Sequence, residues 1–204
     1  MIDIDNMNSM VIDILKELGN IGAGNAATAL ASMISKKVDM HVPNVRVLEF
    51  KNVAEILGGE ENIIVGIYFE LSEDIQGNIM FALDMQSAIN LTNLLYGRKK
   101  TVDEMDESDI SALNEIGNIL ASSYSNSLSQ LTGLKMFISI PSLTIDMAGA
   151  ILSVPAIQYG YIADHALMIE TVFEGEDETF IRGNLFFIPD LDSFEKIFKA
   201  LGVS

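Results

Sequence analysis

The chain contains no cysteine among its 204 residues. Disulfide bonds, thiolate metal sites and a cysteine nucleophile are therefore excluded. Histidine is nearly as scarce, because only His41 and His165 are present. They lie far apart in strand-like segments, and neither has a second residue at the spacing of a metal ligand pair. We expect both to be structural or surface imidazoles, and we expect no metal site in this chain.

Positive charge is also scarce, with 12 basic residues against 29 acidic residues and a formal net charge of −17. An acidic excess of this size disfavours nucleic acid and anionic membrane surfaces as partners. The first residues are polar and acidic, unlike a signal peptide. No apolar run approaches the roughly 20 residues of a membrane-spanning helix. We therefore expect a cytoplasmic protein that does not insert into membranes.

What the chain does contain is an internal repeat. The segments DILKELGNI at residues 13–21 and SALNEIGNI at residues 111–119 are 98 residues apart and share Glu, Gly, Asn and Ile at equivalent positions. An oxygen-bearing side chain, Asp13 or Ser111, comes four residues before each Glu. Such a repeat indicates two equivalent structural units. On an α-helix, positions 13, 17 and 20 fall within a stripe about 60° wide, opposite the inward-facing apolar residues, which include Leu15 and Ile21.

The repeated polar stripe has an ordinary interpretation, which is a helix face that only contacts water. Gly and Asn are both poor helix formers, and Gly costs roughly 0.5–1 kcal/mol relative to Ala in a helix interior. A Gly-Asn pair at the same place in both helices, as Gly19-Asn20 and Gly117-Asn118, is therefore unusual for solvation alone. We predict that each stripe is a docking site and that each glycine lets a partner's backbone come close to the amide.

The chain as a whole predicts an α/β (α+β) protein built from two related halves. The first half is predicted to contain a helix at 9–34, strands at 42–50, 62–71 and 77–83, and a helix at 85–95 that ends at Gly97. The second half is predicted to contain a helix at 108–131, an extended segment at 137–143, strands at 166–173 and 180–188, and a helix at 191–201.

Residues 98–107 form a charged linker between the halves, and Asp106 or Ser108 is expected to cap the helix that follows. Residues 145–157 have no counterpart in the first half and are predicted to be an inserted helix that stops near Pro155. Neither half has enough strands for its own core. We therefore expect a single domain, residues 1–204, whose halves (about 1–97 and 106–204) share one mainly antiparallel sheet beside two long site helices.

A glycine-rich run in the first helix suggests a different class of protein. GAGNAA at residues 22–27 matches the GxGxxA pattern of dinucleotide-binding sites, with Asp39 loosely placed as the ribose acid. That pattern requires a strand that leads into the first glycine, whereas here the preceding residues form an amphipathic helix. We interpret Gly22, Gly24 and Ala27 as a packing run and expect no nucleotide binding.

The repeated motif resembles the signature of the CheC family of chemotaxis phosphatases. The family signature is Asp or Ser, then Glu four residues later, then Asn three residues after the Glu, and both copies here match it in full. The resemblance extends to GNIGAGNAATAL in the first helix, KKV at 36–38, VPNV at 42–45 and IDM at 145–147. It covers essentially the whole chain, and it implies a CheC-like fold.

The resemblance also implies an activity, which is hydrolysis of the aspartyl phosphate on the response regulator CheY. In that reaction the Asn would orient the attacking water and the Glu would anchor the regulator. The residues implied as catalytic are Glu17, Asn20, Glu115 and Asn118. The residues implied to support docking are Asp13, Gly19, Ser111 and Gly117. The Mg²⁺ of the reaction belongs to the regulator, so no cofactor of this chain's own is expected.

A second implied partner is the receptor deamidase CheD, for which Asp146, Met147 and Ala150 are the contact candidates. The chain is expected to be a monomer. The alternative hypothesis is a non-catalytic module of the flagellar switch, or a regulator of CheD, that uses the helix faces only for docking.

Overall fold

The computed structural model describes residues 9–34, 37–159, 165–174 and 180–202. The helices in these ranges are α1 (Ser9–Ile34), α2 (Val53–Ile56), α3 (Met85–Tyr96), α4 (Glu107–Thr132), α5 (Ala148–Tyr159) and α6 (Leu191–Ala200). The strands are β1 (Asp39–His41), β2 (Val45–Glu49), β3 (Ile63–Glu73), β4 (Gly77–Asp84), β5 (Met136–Ile138), β6 (Ser142–Met147), β7 (His165–Glu174) and β8 (Phe180–Pro189). The order α-β-β-α-β-β-α therefore occurs twice.

Residues 145–157 are not a single inserted helix, which corrects the prediction for them. Residues 145–147 belong to β6, where they pair with residues 63–65 of β3. Helix α5 begins at Ala148 and continues through Pro155 to Tyr159. A proline inside a helix removes one backbone hydrogen bond, and here the helix continues past it. Its counterpart in the first half is α2, which has only 4 residues.

Proline divides the extended segments of both halves at equivalent places. Pro43 lies between β1 and β2, and Pro141 lies between β5 and β6. Proline has no N–H to donate to a neighbouring strand. The predicted strand at 42–50 is therefore too long, because only Val45–Glu49 (β2) is a strand in that range. The predicted extended segment at 137–143 is divided between β5 and β6. The two prolines are 98 residues apart, like the two motifs.

All eight strands form one antiparallel sheet, as the sequence predicts for the fold class. The order is β1-β7-β8-β4-β3-β5, with β2 beside β7 and β6 beside β3. The halves exchange strands, since β1 and β2 pair with β7 of the second half while β5 and β6 pair with β3 of the first half. The equivalent strands β4 and β8 meet at the centre, where the pseudo-two-fold axis passes.

The two faces of the sheet carry different helices. Successive residues of a strand point to opposite faces, and in β4 Ile79 and Phe81 belong to one core while Met80 and Ala82 belong to another. The larger core packs against α1, α3, α4 and α6, and the smaller one packs against α2 and α5. Both motif helices therefore lie on one face, and α5 lies on the other. No helix in the described ranges is long and apolar enough to cross a membrane.

Capping residues fix the ends of the helices that surround the second motif. Asp106 accepts a hydrogen bond from the N–H of Ser108 at the start of α4, and Gly133 ends that helix with a φ of 74°. Gly97 ends α3 in the same left-handed conformation, with a φ of 63°. The predicted caps at Asp106 and Gly97 are confirmed.

Candidate functional site on the paired motif helices

Helices α1 and α4 pack side by side and run antiparallel. Near the middle of both helices, Gly22 lies against the ring of Tyr124, and a Cβ built at Gly22 would lie 2.4 Å from the ring. At the C-terminal end of α1, Met33 shares a cavity with Ser111 and Glu115 near the start of α4. Because each motif lies in the N-terminal half of its helix, the two motifs occupy opposite ends of the helix pair.

The first motif forms an exposed stripe, as its helical spacing predicts. Asp13, Glu17 and Asn20 are all exposed on α1, while Leu15 is fully buried on the opposite side. The pattern fails at Ile21, which the sequence places with the inward-facing residues, because Ile21 is 45% exposed. The first motif is therefore open to a large partner and adjoins an exposed apolar side chain.

The second motif is more enclosed than the first. Ser111 and Glu115 are exposed, but Asn118 is half-buried, so the prediction of a freely presented amide does not hold there. One turn earlier, Asn114 is also half-buried. Its Oδ1 is buried and has no hydrogen-bond partner among the residues that the structure describes. The repeat thus provides the same polar residues in two different surroundings.

The motif glycines face the sheet and not the solvent. Both are buried. A Cβ on Gly19 would lie 3.2 Å from Val42 and 3.7 Å from Ile169, and a Cβ on Gly117 would lie 3.0 Å from Ile67. The prediction that they make room for a partner's backbone is wrong. Since consecutive helix residues differ by about 100° in direction, the glycine that precedes an exposed Asn can point inward, where it lets the helix approach the strands.

The start of α4 is bound to the linker by a cluster of charges. Asp109 is fully buried and accepts hydrogen bonds from Nη2 of Arg98 at 2.5 Å and from Nζ of Lys100 at 2.7 Å. Burial opposes ionisation of Asp109, but the hydrogen bond from Lys100, the N–H of Asp106 and the charge of Arg98 hold its pKa below the ordinary value. The predicted linker is therefore attached to the helix turn that precedes Ser111.

A recess adjoins the second motif. Its volume is about 440 Å³, and it lies where the C-terminal ends of α1 and α3 meet the first turns of α4. The lining residues are Met33, Ile34, Leu95, Tyr96, Ser111, Ala112 and Glu115. No local pattern in the sequence identifies Met33 or Tyr96, because the recess exists only where three helices meet.

The predicted contact residues for a second partner lie away from both motifs. Asp146 and Met147 are exposed at the end of β6, and Ala150 is half-buried in the first turn of α5. Asp146 and Ala150 line a cavity of about 420 Å³ together with Tyr68 and other residues. Helix α5 covers the face of the sheet opposite α1 and α4, so a partner bound there would not compete directly with one bound at the motifs.

The geometry does not support the dinucleotide alternative. Residues 9–34 form one continuous helix, so Gly22 and Gly24 do not follow a strand. In the described part of the chain, no group of three or more His, Cys, Asp or Glu residues is arranged to hold a metal ion. His41 is exposed, and the ring of His165 lies 5.9 Å from that of Phe194.

Comparisons with known proteins agree with the motif. A model of the CheC-like family matches residues 10–47 and 110–145, the two segments that contain the repeat. The CheY-P phosphatase CheC of Bacillus subtilis is 35% identical over 197 residues, which cover 95% of this chain and 94% of that protein. The flagellar motor switch phosphatase FliY of the same organism is 26% identical over 145 residues, which cover 70% of this chain and 38% of FliY.

A solved structure extends the similarity to the fold. The crystal structure of Thermotoga maritima FliY superposes with a TM-score of 0.75 at 25% sequence identity. The match covers 97% of this chain and 98% of that one. The similarity therefore includes both motif helices, the exchanged strands and α5.

Proposed function

The chain belongs to the CheC-like family, and from this premise we propose that it hydrolyses the aspartyl phosphate of the response regulator CheY. The observation that carries the proposal is the presence of the same Glu and Asn pair on two equivalent helices of one face, at ends of the helix pair that a protein partner can reach. The relative from Bacillus subtilis that is 35% identical to this chain is named a CheY-P phosphatase.

The reaction requires little covalent chemistry from the enzyme. A water attacks phosphorus in line with the bond to the aspartyl oxygen, that bond breaks, and the products are inorganic phosphate and the free carboxylate of the regulator. Phosphoryl transfer of this kind is accelerated mainly by positioning and electrostatics. A carboxamide suits the task because its oxygen accepts a hydrogen bond while its NH₂ donates. We therefore assign Asn20 and Asn118 to orienting the water.

The amide is also preferable to a carboxylate at this position. A carboxylate would add negative charge beside the phosphoryl oxygens, which are already negative, and would raise the energy of the complex. Glu17 and Glu115 precede the Asn by three residues, so they lie on the same side of the helix one turn away. We assign them to pairing with a basic side chain of the regulator, with Asp13 and Ser111 as supporting contacts.

The metal of the reaction belongs to the other protein in this proposal. A divalent ion such as Mg²⁺ in the regulator's own pocket would neutralise the phosphoryl charge, and the motif residues would add positioning only.

A second proposed partner is CheD, which would contact Asp146, Met147 and Ala150. Because these residues lie across the sheet from the motif helices, any effect of CheD on hydrolysis would have to pass through the sheet.

The test is the lifetime of phosphorylated CheY in the presence of the parent protein, Asn20→Ala, Asn118→Ala and the double variant. We expect the double variant to lose roughly 100-fold of the acceleration, the effect typical of a lost positioning group. Each single variant should keep the contribution of the other site. Asn25→Ala is the matched control, since Asn25 is an exposed asparagine of α1 outside the motif.

Two results would contradict the proposal. A double variant as active as the parent would remove the positioned amide from the mechanism. A parent protein that binds phosphorylated CheY without shortening its lifetime would favour the non-catalytic docking module.

A further inference from the structure

We propose that the recess beside the second motif receives an apolar side chain of the phosphorylated regulator, so that Tyr96 and Met33 determine the affinity of that site. This inference rests on the proposed function. It assigns a role to two residues that lie outside the signature and come from helices other than α4.

The recess is continuous with the second motif. Ser111 and Glu115 line it, and both belong to the stripe that faces the partner. A protein that pairs with Glu115 must therefore also cover the opening. Since the recess shares its lining residues with the motif, the occupant that the geometry favours is part of the same regulator.

The walls of the recess are apolar and exposed. Met33 is 43% exposed and Tyr96 is 51% exposed, although both are large hydrophobic side chains. Glu115 is the one charged residue among the described residues that line the recess. Covering such a surface is favourable because apolar area leaves water. The chemistry therefore suits an apolar side chain that lies next to a basic one, with the basic group directed at Glu115.

Tyr96 is held in place before any partner arrives. The guanidinium carbon of Arg98 lies 4.2 Å from the centroid of the Tyr96 ring. Arg98 is fixed in turn by its ion pair with the buried Asp109 of α4. A ring that is already oriented loses less conformational freedom when a partner docks, and this favours affinity.

Among the residues that the structure describes, none gives the first motif an equivalent aromatic wall. Leu131, 98 residues after Met33, is 49% exposed. A glycine in the left-handed conformation follows both α3 and α6, at Gly97 and Gly202. The residue before it is Tyr96 in the first half but the aliphatic Leu201 in the second half. The recess is therefore a property of the second site, and the two sites should differ in affinity for the same regulator.

The experiment isolates each site with one variant. Asn20→Ala leaves only the second site working, and Asn118→Ala leaves only the first. Initial rates of hydrolysis are measured against the concentration of phosphorylated CheY. In the Asn20→Ala background, we expect Tyr96→Ser to raise KM about 10-fold, a typical loss for a buried aromatic contact, with kcat unchanged. Met33→Ser should act in the same direction, and Tyr96→Phe should raise KM less than Tyr96→Ser.

Controls separate the outcomes. In the Asn118→Ala background, where only the first site works, we expect Tyr96→Ser to leave KM unchanged. In the Asn20→Ala background, Leu131→Ser is the matched control for Met33→Ser. An unchanged KM for Tyr96→Ser at the second site would overturn the inference, and so would an equal rise at both sites. Failure of the proposed function itself is distinguishable, since the parent protein would then not accelerate hydrolysis at all.

Discussion

The two motif helices carry the same polar residues, but they meet different neighbours. On α1 the residue before the glutamate is the exposed Lys16, and the amide of Asn20 is exposed as well. On α4 the corresponding residue is Asn114, which is half-buried and whose Oδ1 has no hydrogen-bond partner in the described part of the chain. The amide of Asn118 is also half-buried. The repeat thus contains the same motif residues in two different surroundings.

The divergence continues where the helices cross. Gly22 of α1 accommodates the ring of Tyr124. The equivalent positions, 98 residues away in each case, are Leu120 and Ala26, and both are fully buried. Gly22 in one half thus corresponds to the larger Leu120 in the other half. Tyr124 corresponds to the much smaller Ala26.

Removing the charge that anchors the linker to α4 should have the largest effect on stability. Asp109→Asn would leave Arg98 and Lys100, whose side chains are only 29% and 21% exposed, without their buried partner. We expect a loss of about 3–5 kcal/mol in the free energy of unfolding by urea at pH 7. The control Asp39→Asn breaks the pair of Asp39 with Lys37 and should have a much smaller effect, because both side chains are exposed and water screens the charges.

The same variant has a pH signature. The folded-state pKa of Asp109 is lowered, so its stabilisation is fully present above the ordinary pKa of aspartate and is lost as pH falls through the lowered value. Parent and Asp109→Asn should therefore differ most at neutral pH and converge in acid. A difference that persists unchanged in strong acid would show that the carboxylate charge is not the cause.

Gly22→Ala should have the next largest effect, since it tests the exchange of small and large residues at the crossing. Its Cβ would lie 2.4 Å and 2.7 Å from two atoms of the Tyr124 ring. The ring has little freedom to move, because its hydroxyl shares a hydrogen bond of 3.2 Å with Thr171 and the residue is buried. We expect a loss of about 1–3 kcal/mol, measured as above.

Gly24→Ala provides the control on the same helix. Apart from the two neighbouring residues and the backbone of α1 itself, no atom of the described residues lies within 4 Å of a Cβ at Gly24. This variant should therefore gain about 0.5–1 kcal/mol from helix propensity. If both variants changed stability alike, the close packing of Gly22 against Tyr124 would not be the cause.

The two motif glycines permit a direct comparison of the sites. The Cβ of an alanine at position 117 would lie 3.0 Å from Ile67, whereas the Cβ of an alanine at position 19 would lie 3.2 Å from Val42. The gain in helix propensity is the same in both variants, so the difference reports packing alone. We expect Gly117→Ala to be less stable than Gly19→Ala by up to about 1 kcal/mol in paired thermal or urea unfolding. The reverse order would mean that Ile67 of β3 moves aside more readily than Val42.

The smallest predicted effect concerns Lys16, the exposed cation beside the first motif. Lys16→Asn gives the first motif the residue that the second motif has at the equivalent position, Asn114. In the Asn118→Ala background, we expect kcat/KM for phosphorylated CheY to fall less than about threefold at low salt, because an exposed charge mainly affects the association rate. The difference should disappear at high ionic strength. A loss that salt does not reduce would indicate a direct contact.

The sequence predicted the long helices well because their signals are local. The expected helix at 9–34 coincides with α1, and the one at 108–131 differs from α4 by one residue at each end. Apolar periodicity and capping residues such as Asp106 and Gly133 act within a few residues of where they stand. Residues 145–147 carry no such signal, and they form a strand only because β3 lies beside them.

The sequence by itself determined the repeat, the two Glu and Asn pairs, and the helical spacing that puts each pair on one side. Each depends on residue type and on distances along the chain. Only the tertiary structure decided that Gly19 and Gly117 face the sheet, that Asn118 is more enclosed than Asn20, and that Tyr96 stands beside Glu115. The physical reason is that burial and contact depend on strands and helices far apart in the sequence, which meet when the two halves exchange strands.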